Sequence, residues 1–136
     1  MEGRLDYSKY RLEKAKSDLR GAKILFDADN CKSAASLSYY AIFHAMRAVL
    51  ALDNLDSKKH SGVIAYFNRF YVKTGIFDKR LSEIVKTAFK IRQGADYEDF
   101  YLVSLEEIEQ QIKNAEIFIA EIEKFLRAKW EENGLL

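Results

Sequence analysis

Between Leu105 and Leu126 apolar residues recur at alternating intervals of three and four: Leu105, Ile108, Ile112, Ala115, Ile119, Ile122 and Leu126. An α-helix turns once per 3.6 residues, so this spacing gathers all seven on one face, whereas a strand would scatter them over both. Ser104 with Glu107 just upstream forms a capping box, in which each side chain satisfies the other residue's unpaired backbone N–H. The spacing predicts a helix from Ser104 to about Trp130, on the order of 39 Å long at 1.5 Å per residue. A helix with a single apolar stripe and a charged remainder needs other helices to cover the stripe.

The rest of the chain supplies them. Leu12, Ala15, Leu19, Ala22 and Phe26 continue the three-and-four spacing and predict a helix over about residues 7–28. Asp29 and Asn30 interrupt it, and either can cap the next helix. Residues 31–52 carry a much wider apolar face, built from Ala34, Ala35, Leu37, Ala41, Ile42, Ala45, Met46, Val49 and Leu50, as expected of a helix touching several neighbours. A third helix is predicted from residue 57 or 61 to 73, stopped by Thr74-Gly75. A fourth opens at Asp78, carries Leu81, Ile84, Val85, Ala88 and Phe89 on one face, and is expected to end at Gln93-Gly94, followed by a loop over residues 94–103. The 136 residues contain no proline, which an all-helical fold does not miss and a turn-rich β fold would. The expectation is an all-α, up-and-down antiparallel bundle of four to five helices in a single domain, residues 1–136.

Composition narrows the class. Hydrophobic residues at 49% with 32% charged belong to a globular chain rather than a disordered one. One cysteine, Cys31, permits no internal disulfide. No apolar run approaches about 18 residues and the first residues lack the apolar core of a signal peptide, so a cytoplasmic location is expected. There is no glycine-rich phosphate loop, no HExxH, and no spacing that suggests metal ligands, so neither metal nor cofactor is expected.

Three features exceed what packing asks for. The stripe Leu81, Val85, Ala88 continues at the same spacing onto Arg92, placing a permanent charge on the core-facing side near a helix end. Arg92 either reaches past the stripe to solvent or lies in a cleft where its planar fork can hold phosphate. Ser33, Ser36, Tyr40, His44 and Arg47 share one face of the second helix, either a half-buried polar face or the wall of a cleft. After Arg92 come Asp96, Tyr97, Glu98, Asp99, Phe100 and Tyr101, acids that could pair with Arg92 and rings that could cover the bundle end or stack on a base. His60-Ser61-Gly62 reads as a helix start where backbone N–H groups could meet an anion, a common arrangement.

The formal net charge of +1 hides a division. Residues 57–92 carry +7, residues 93–136 carry −7, and the first 23 residues carry +3. Either these halves neutralise each other across helix faces, or the third and fourth helices present a basic surface beside Arg92.

The order Ser38-Tyr39-Tyr40-Ala41-Ile42-Phe43-His44-Ala45-Met46-Arg47-Ala48, then Lys59-His60-Ser61-Gly62-Val63-Ile64 with Phe67, then Arg92 and Ala95-Asp96-Tyr97, resembles the HEPN family over nearly the whole chain. The resemblance implies a helical bundle that forms a homodimer and binds nucleotide or RNA. It further implies the toxin-like part of a toxin–antitoxin module whose partner is a small nucleotidyltransferase. Active members of that family are metal-independent ribonucleases with an arginine followed, four to six residues later, by a histidine. Arg92 matches the arginine, but Tyr97 stands where the histidine belongs, and tyrosine, with a pKa of about 10, is a poor base near neutrality. The binding residues expected from the residues and the resemblance together are Arg92, Asp96, Tyr97, Tyr40, His44 and Arg47. Catalysis stays open, with Arg92 and His44 as candidates, His44 replacing the absent histidine. The alternatives are a non-catalytic dimerisation or interaction module with a vestigial cleft, or a Tyr97 or Tyr101 that accepts a nucleotidyl group from the partner.

Overall fold

The computed structural model describes residues 2–97 and 104–134. It contains five α-helices and, among the described residues, no strand: α1 (Glu2–Asp27), α2 (Cys31–Leu52), α3 (His60–Phe67), α4 (Lys79–Tyr97) and α5 (Leu105–Glu132). A π-helical turn, Asn68–Val72, prolongs α3 and brings Tyr71 into the core. The architecture is the expected all-α bundle.

α2 is its axis. It packs most extensively on α1 and also touches α3, α4 and α5. Its length and mean hydropathy of 1.2 over 18 residues would suit a membrane span, yet 72% of that stretch is buried inside the bundle. α1 can approach closely because Gly21 faces Leu37, whose side chain would meet a Cβ at 2.6 Å. The main core joins Leu12, Tyr39, Phe67, Phe118 and Trp130 from four helices, and a smaller cluster at the other end joins Ala22, Ala34, Ile91, Ala95, Ile108 and Ile112. Trp130, at the end of α5, donates its indole N–H to Ser8 of α1 at 3.2 Å, and the Ser8 hydroxyl in turn donates to the Ala48 carbonyl at 2.7 Å. α5 begins at the expected capping box: Ser104 Oγ accepts from the Glu107 N–H at 3.0 Å, and Glu107 Oε1 lies 3.5 Å from the Ser104 N–H.

Three boundaries differ from expectation. α1 starts five residues early, because Leu5 and Ser8 extend its buried face. The π-helical turn replaces the regular end of the third helix, while Gly75 takes the left-handed conformation expected of it (φ +84°). Most consequential, Gln93-Gly94 does not end α4. Gly94 and Ala95 are buried, and Ala95 packs with Ala22, Ala34 and Ile108, so tertiary contact outweighs the roughly 1 kcal/mol helix cost of glycine. The helix runs on to Tyr97, which moves Asp96 and Tyr97 from an expected loop onto the helix that carries Arg92. The rest of that expected loop, including Asp99 and Tyr101, lies outside the described residues.

Candidate functional site

From Ala34 to Leu52 the central helix is buried at every position except Ser36, Leu37, Tyr40, His44 and Arg47. Four of these five belong to the polar stripe. Neighbouring helices cover the rest of the circumference, and the stripe is the part of α2 they leave open. Ser33 continues it, exposed, in the first turn.

At the Tyr40 end the stripe meets Arg92, whose side chain is only 12% exposed. Arg92 Nε donates to Asp96 Oδ2 at 3.0 Å, and Nη2 donates to the hydroxyls of Tyr40 at 2.9 Å and Tyr97 at 3.2 Å. Its guanidinium carbon lies 5.5, 5.3 and 5.2 Å from the ring centres of Tyr39, Tyr40 and Tyr97, within the range of cation–π attraction. Ser36 Oγ donates to the same Asp96 oxygen at 3.2 Å. Burial alone would lower the Arg92 pKa. Tyr40, Tyr97 and Asp96 together raise it, so the cation persists at every physiological pH. Arg92 is therefore held within a cleft and does not extend past the end of the stripe to solvent. A cleft of about 520 Å³ opens beside it, lined by Ser33, Ser36, Tyr40 and Asp96.

One turn along, His44 belongs to a different set of partners. Its Nδ1 lies 3.0 Å from Arg11 Nη1 and its Nε2 lies 3.7 Å from Asp18 Oδ2, both on α1. Burial and the cations Arg11, Lys14 and Arg47, with a smaller contribution from His60, lower its pKa from 6.5 to about 4. Asp18, beside Nε2, is itself paired with Lys14 at 3.2 Å. His44 and Arg92 thus sit on one open strip, with Tyr40 between them and in contact with both. The Nδ1 of His44 faces α1, not the Arg92 cleft. Arg47 Nη2 donates to Asp56 at 3.0 Å and to the Tyr7 hydroxyl at 3.2 Å.

The histidine that joins the Arg92 cluster is His60, at the start of α3. Its Nδ1 is 2.9 Å from the Tyr39 hydroxyl, its ring stacks on Phe43 at 4.1 Å, and it meets the Tyr40 ring edge-on at 5.9 Å. Burial, then Arg92 and Arg47, lower its pKa. Tyr39 is fully buried, which raises the pKa of its hydroxyl and keeps it protonated. Sequence reasoning gives His60 as a helix start and as part of the family resemblance, without a site role, and gives no role to Tyr39, Tyr7 or Arg11. Tyr39 and His60 stand in the segments that carry the family resemblance, but their contact with each other, and the placing of Tyr7 and Arg11 on the stripe, comes only from the packing of α1 and α3 on α2.

The charge division also acquires a geometry. Among the described residues the ion pairs of α5 run to α1, at Lys16–Glu123 and Lys23–Glu116, or stay within α5. None joins α5 to residues 57–92, so the basic stretch ending at Arg92 is not neutralised by direct pairing with the acidic last helix.

Comparison with known proteins identifies the family of the chain. The family described as HEPN domain matches residues 8–125, a span that includes the whole open strip of α2 together with His60 and Arg92. The chain is 37% identical over 116 residues to a protein of Methanocaldococcus jannaschii named "Putative toxin MJ0605", covering 85% of this chain and 86% of that protein. It is 36% identical over 117 residues to a protein of Thermotoga maritima named "UPF0332 protein", covering 86% and 89%. A second protein of M. jannaschii, "Putative toxin MJ0142", is 32% identical over 118 residues, covering 87% and 80%. With the family match across most of its length and relatives aligned over most of theirs, this chain belongs to the HEPN domain family.

Proposed function

We propose that the chain is a toxin-like HEPN protein that binds nucleotide or RNA through the Arg92 cluster, in a module with a small nucleotidyltransferase. The observation that carries the binding reading is the mounting of Arg92. Among the described residues, three hydrogen bonds hold a group with five N–H donors, beneath three rings and beside a single carboxylate. A guanidinium fixed this way loses little entropy on taking up phosphate, and the two N–H groups of its Nη1 are left to donate to one. Tyr40 and Tyr97 accept from Arg92, so each retains its own O–H to donate to a phosphate or ribose oxygen. The names of the M. jannaschii relatives support the toxin-like role. A cytoplasmic homodimer fits the same reading.

The geometry favours binding over cleavage by His44. A base whose conjugate acid has a pKa of about 4 takes up the 2′-hydroxyl proton of RNA poorly at neutral pH, and its Nδ1 faces Arg11. The decisive experiment measures adenosine monophosphate and single-stranded RNA binding to wild type and Arg92→Ala, at low and high salt. Binding that weakens with salt and is lost in Arg92→Ala supports the reading; binding indifferent to both defeats it. Co-purification of the chain with the product of a neighbouring nucleotidyltransferase reading frame tests the module.

A second reading rests on Tyr97, which is 71% exposed with its hydroxyl 3.2 Å from Arg92. A nucleotidyltransferase partner could use it as acceptor. The Tyr97 oxygen would attack the α-phosphorus of a nucleoside triphosphate, pyrophosphate would leave, and the phenol proton would pass to a base of the partner. A mass increase of one nucleotidyl group on Tyr97 after co-expression supports this; an unmodified tyrosine defeats it.

A further inference from the structure

The open strip of α2 does not end at Tyr40. Two turns further, about 10 Å along the axis, Arg47 reaches the hydroxyl of Tyr7 on α1 at 3.2 Å. The same oxygen accepts from Arg11, through Nε at 2.9 Å and through Nη2. Two guanidiniums thus converge on one neutral phenol oxygen. The Arg11 guanidinium also lies over the rings of Tyr7 and Tyr10, at 4.9 and 5.7 Å. Among the described residues the carboxylate that meets this pair is Asp56, on Arg47, and its side chain is 59% exposed. The nearby Asp18 is held by Lys14. The Asp56 side of this pair stands in solvent while the Arg47 side chain is 19% exposed, so a better anion can replace the carboxylate on a guanidinium that is already in place. The Arg47 Nε is buried and has no hydrogen-bond partner. A second cleft, of about 300 Å³, opens here between Tyr7, Arg47 and Asp56.

We propose that Arg11 and Arg47 form a second phosphate site on the strip that carries Arg92, and that the ligand is therefore a stretch of single-stranded nucleic acid and not a mononucleotide. This deepens the binding reading of Arg92 and rests on it. The two sites lie too far apart for one phosphate to touch both, and the strip between them is open along Tyr40 and His44. Exposed rings stand at both ends, Tyr97 at 71% beside Arg92 and Tyr10 at 58% beside Arg11. Aromatic platforms flanking a cationic track suit unpaired bases, whose faces are free to stack, and not the closed stack of a duplex. The electrostatics agree: the depressed pKa of His44, midway along the track, reflects burial together with the excess of positive charge from Arg11, Lys14 and Arg47 around it.

His44 reports on the second site, because it senses Arg11 and Arg47 and not Arg92, while His60 senses Arg92 first and Arg47 after it. The test uses adenosine monophosphate and a single-stranded RNA octamer with wild type, Arg11→Gln, Arg47→Gln and Arg92→Gln. The octamer should bind at least tenfold more weakly to Arg11→Gln and Arg47→Gln, and its log-affinity slope against log salt should fall by about 0.7 for each phosphate that is no longer neutralised. Adenosine monophosphate should be indifferent to Arg11→Gln and lost in Arg92→Gln. In NMR titrations of the wild type, adenosine monophosphate should raise the pKa of His60 alone, and the octamer those of both histidines. This second readout needs no variant, so it holds even if Arg47→Gln fails to fold. An octamer whose affinity and slope ignore Arg11→Gln, or which moves only His60, overturns the second site while leaving the Arg92 reading standing. If Arg92→Gln changes neither probe, or neither probe binds, both readings fall.

Discussion

The Tyr40 hydroxyl lies 2.9 Å from Arg92 Nη2 and joins α2 to α4 across 52 residues of sequence. It accepts from a cation that the helix ladder cannot satisfy, and it sits at the centre of the open strip. Tyr40→Phe removes only this oxygen and keeps the ring that lies over Arg92 and against His60. We expect the unfolding temperature to fall by only a few degrees while nucleotide affinity falls about tenfold or more, the effect of a hydrogen bond to a charged group worth roughly 1.5–3 kcal/mol. Fluorescence anisotropy beside thermal denaturation separates the two. A large loss of stability with unchanged affinity would make Tyr40 a structural residue only.

Acid should destabilise the fold in a window that His44 sets. Its pKa lies near 4 in the folded chain, against 6.5 for a free imidazole. Between those values the unfolded chain binds a proton that the folded chain refuses, so stability is fully present above pH 6.5 and declines as pH falls toward 4. His60, lowered in the same direction, adds to the decline. His44→Gln removes one titrating group while keeping an oxygen that can accept from Arg11. Urea midpoints measured from pH 7 down to 4.5 should fall less steeply for the variant; parallel profiles would show that His44 titrates normally in the fold.

Much of this was legible in the sequence, for reasons that particular residues show. The 3-4 spacing from Leu105 to Leu126 and the Ser104–Glu107 box are local, and α5 begins where they place it. The polar stripe on α2 was visible because helical spacing alone puts Ser36, Tyr40, His44 and Arg47 on one face. Helix ends decided by tertiary contact were not. Gly94 reads as a stop until Ala95 is seen packing on Ala22, Ala34 and Ile108. The partners of the stripe were equally hidden, since His60 and Arg11 reach α2 from helices whose rotation no local pattern fixes. A search for the missing histidine along α2 finds His44, while the three-dimensional neighbour of Arg92 comes from α3.

The buried Ser8–Trp130 pair ties the start of the chain to the end of α5. Ser8 is fully buried, accepts the Trp130 indole N–H and donates to Ala48. Ser8→Ala leaves the indole N–H without a partner in the core and should cost about 1–3 kcal/mol. Trp130→Phe in the same background should restore part of the loss attributable to that N–H. Chemical denaturation of the four chains of this cycle gives the coupling. Additive losses would mean that water satisfies the indole once the hydroxyl is gone.

Arg92→Lys tests whether the site needs a charge or a planar fork. Lysine keeps the charge but cannot bond Asp96, Tyr40 and Tyr97 at once in the geometry of the guanidinium, and its ammonium is more strongly hydrated. The ring of Tyr97, lightly anchored at 71% exposed, should lose its fixed position. We expect adenosine monophosphate affinity to fall by about tenfold or more, equivalent to roughly 1.5–3 kcal/mol for hydrogen bonds to a charged group. The salt dependence should stay near that of wild type, because one phosphate still meets one cation. Arg92→Ala should lose both affinity and salt dependence. Isothermal titration calorimetry at three salt concentrations distinguishes them. If Arg92→Lys binds as well as wild type, the site recognises charge alone and the tyrosine cage serves only to fasten α4 to α2.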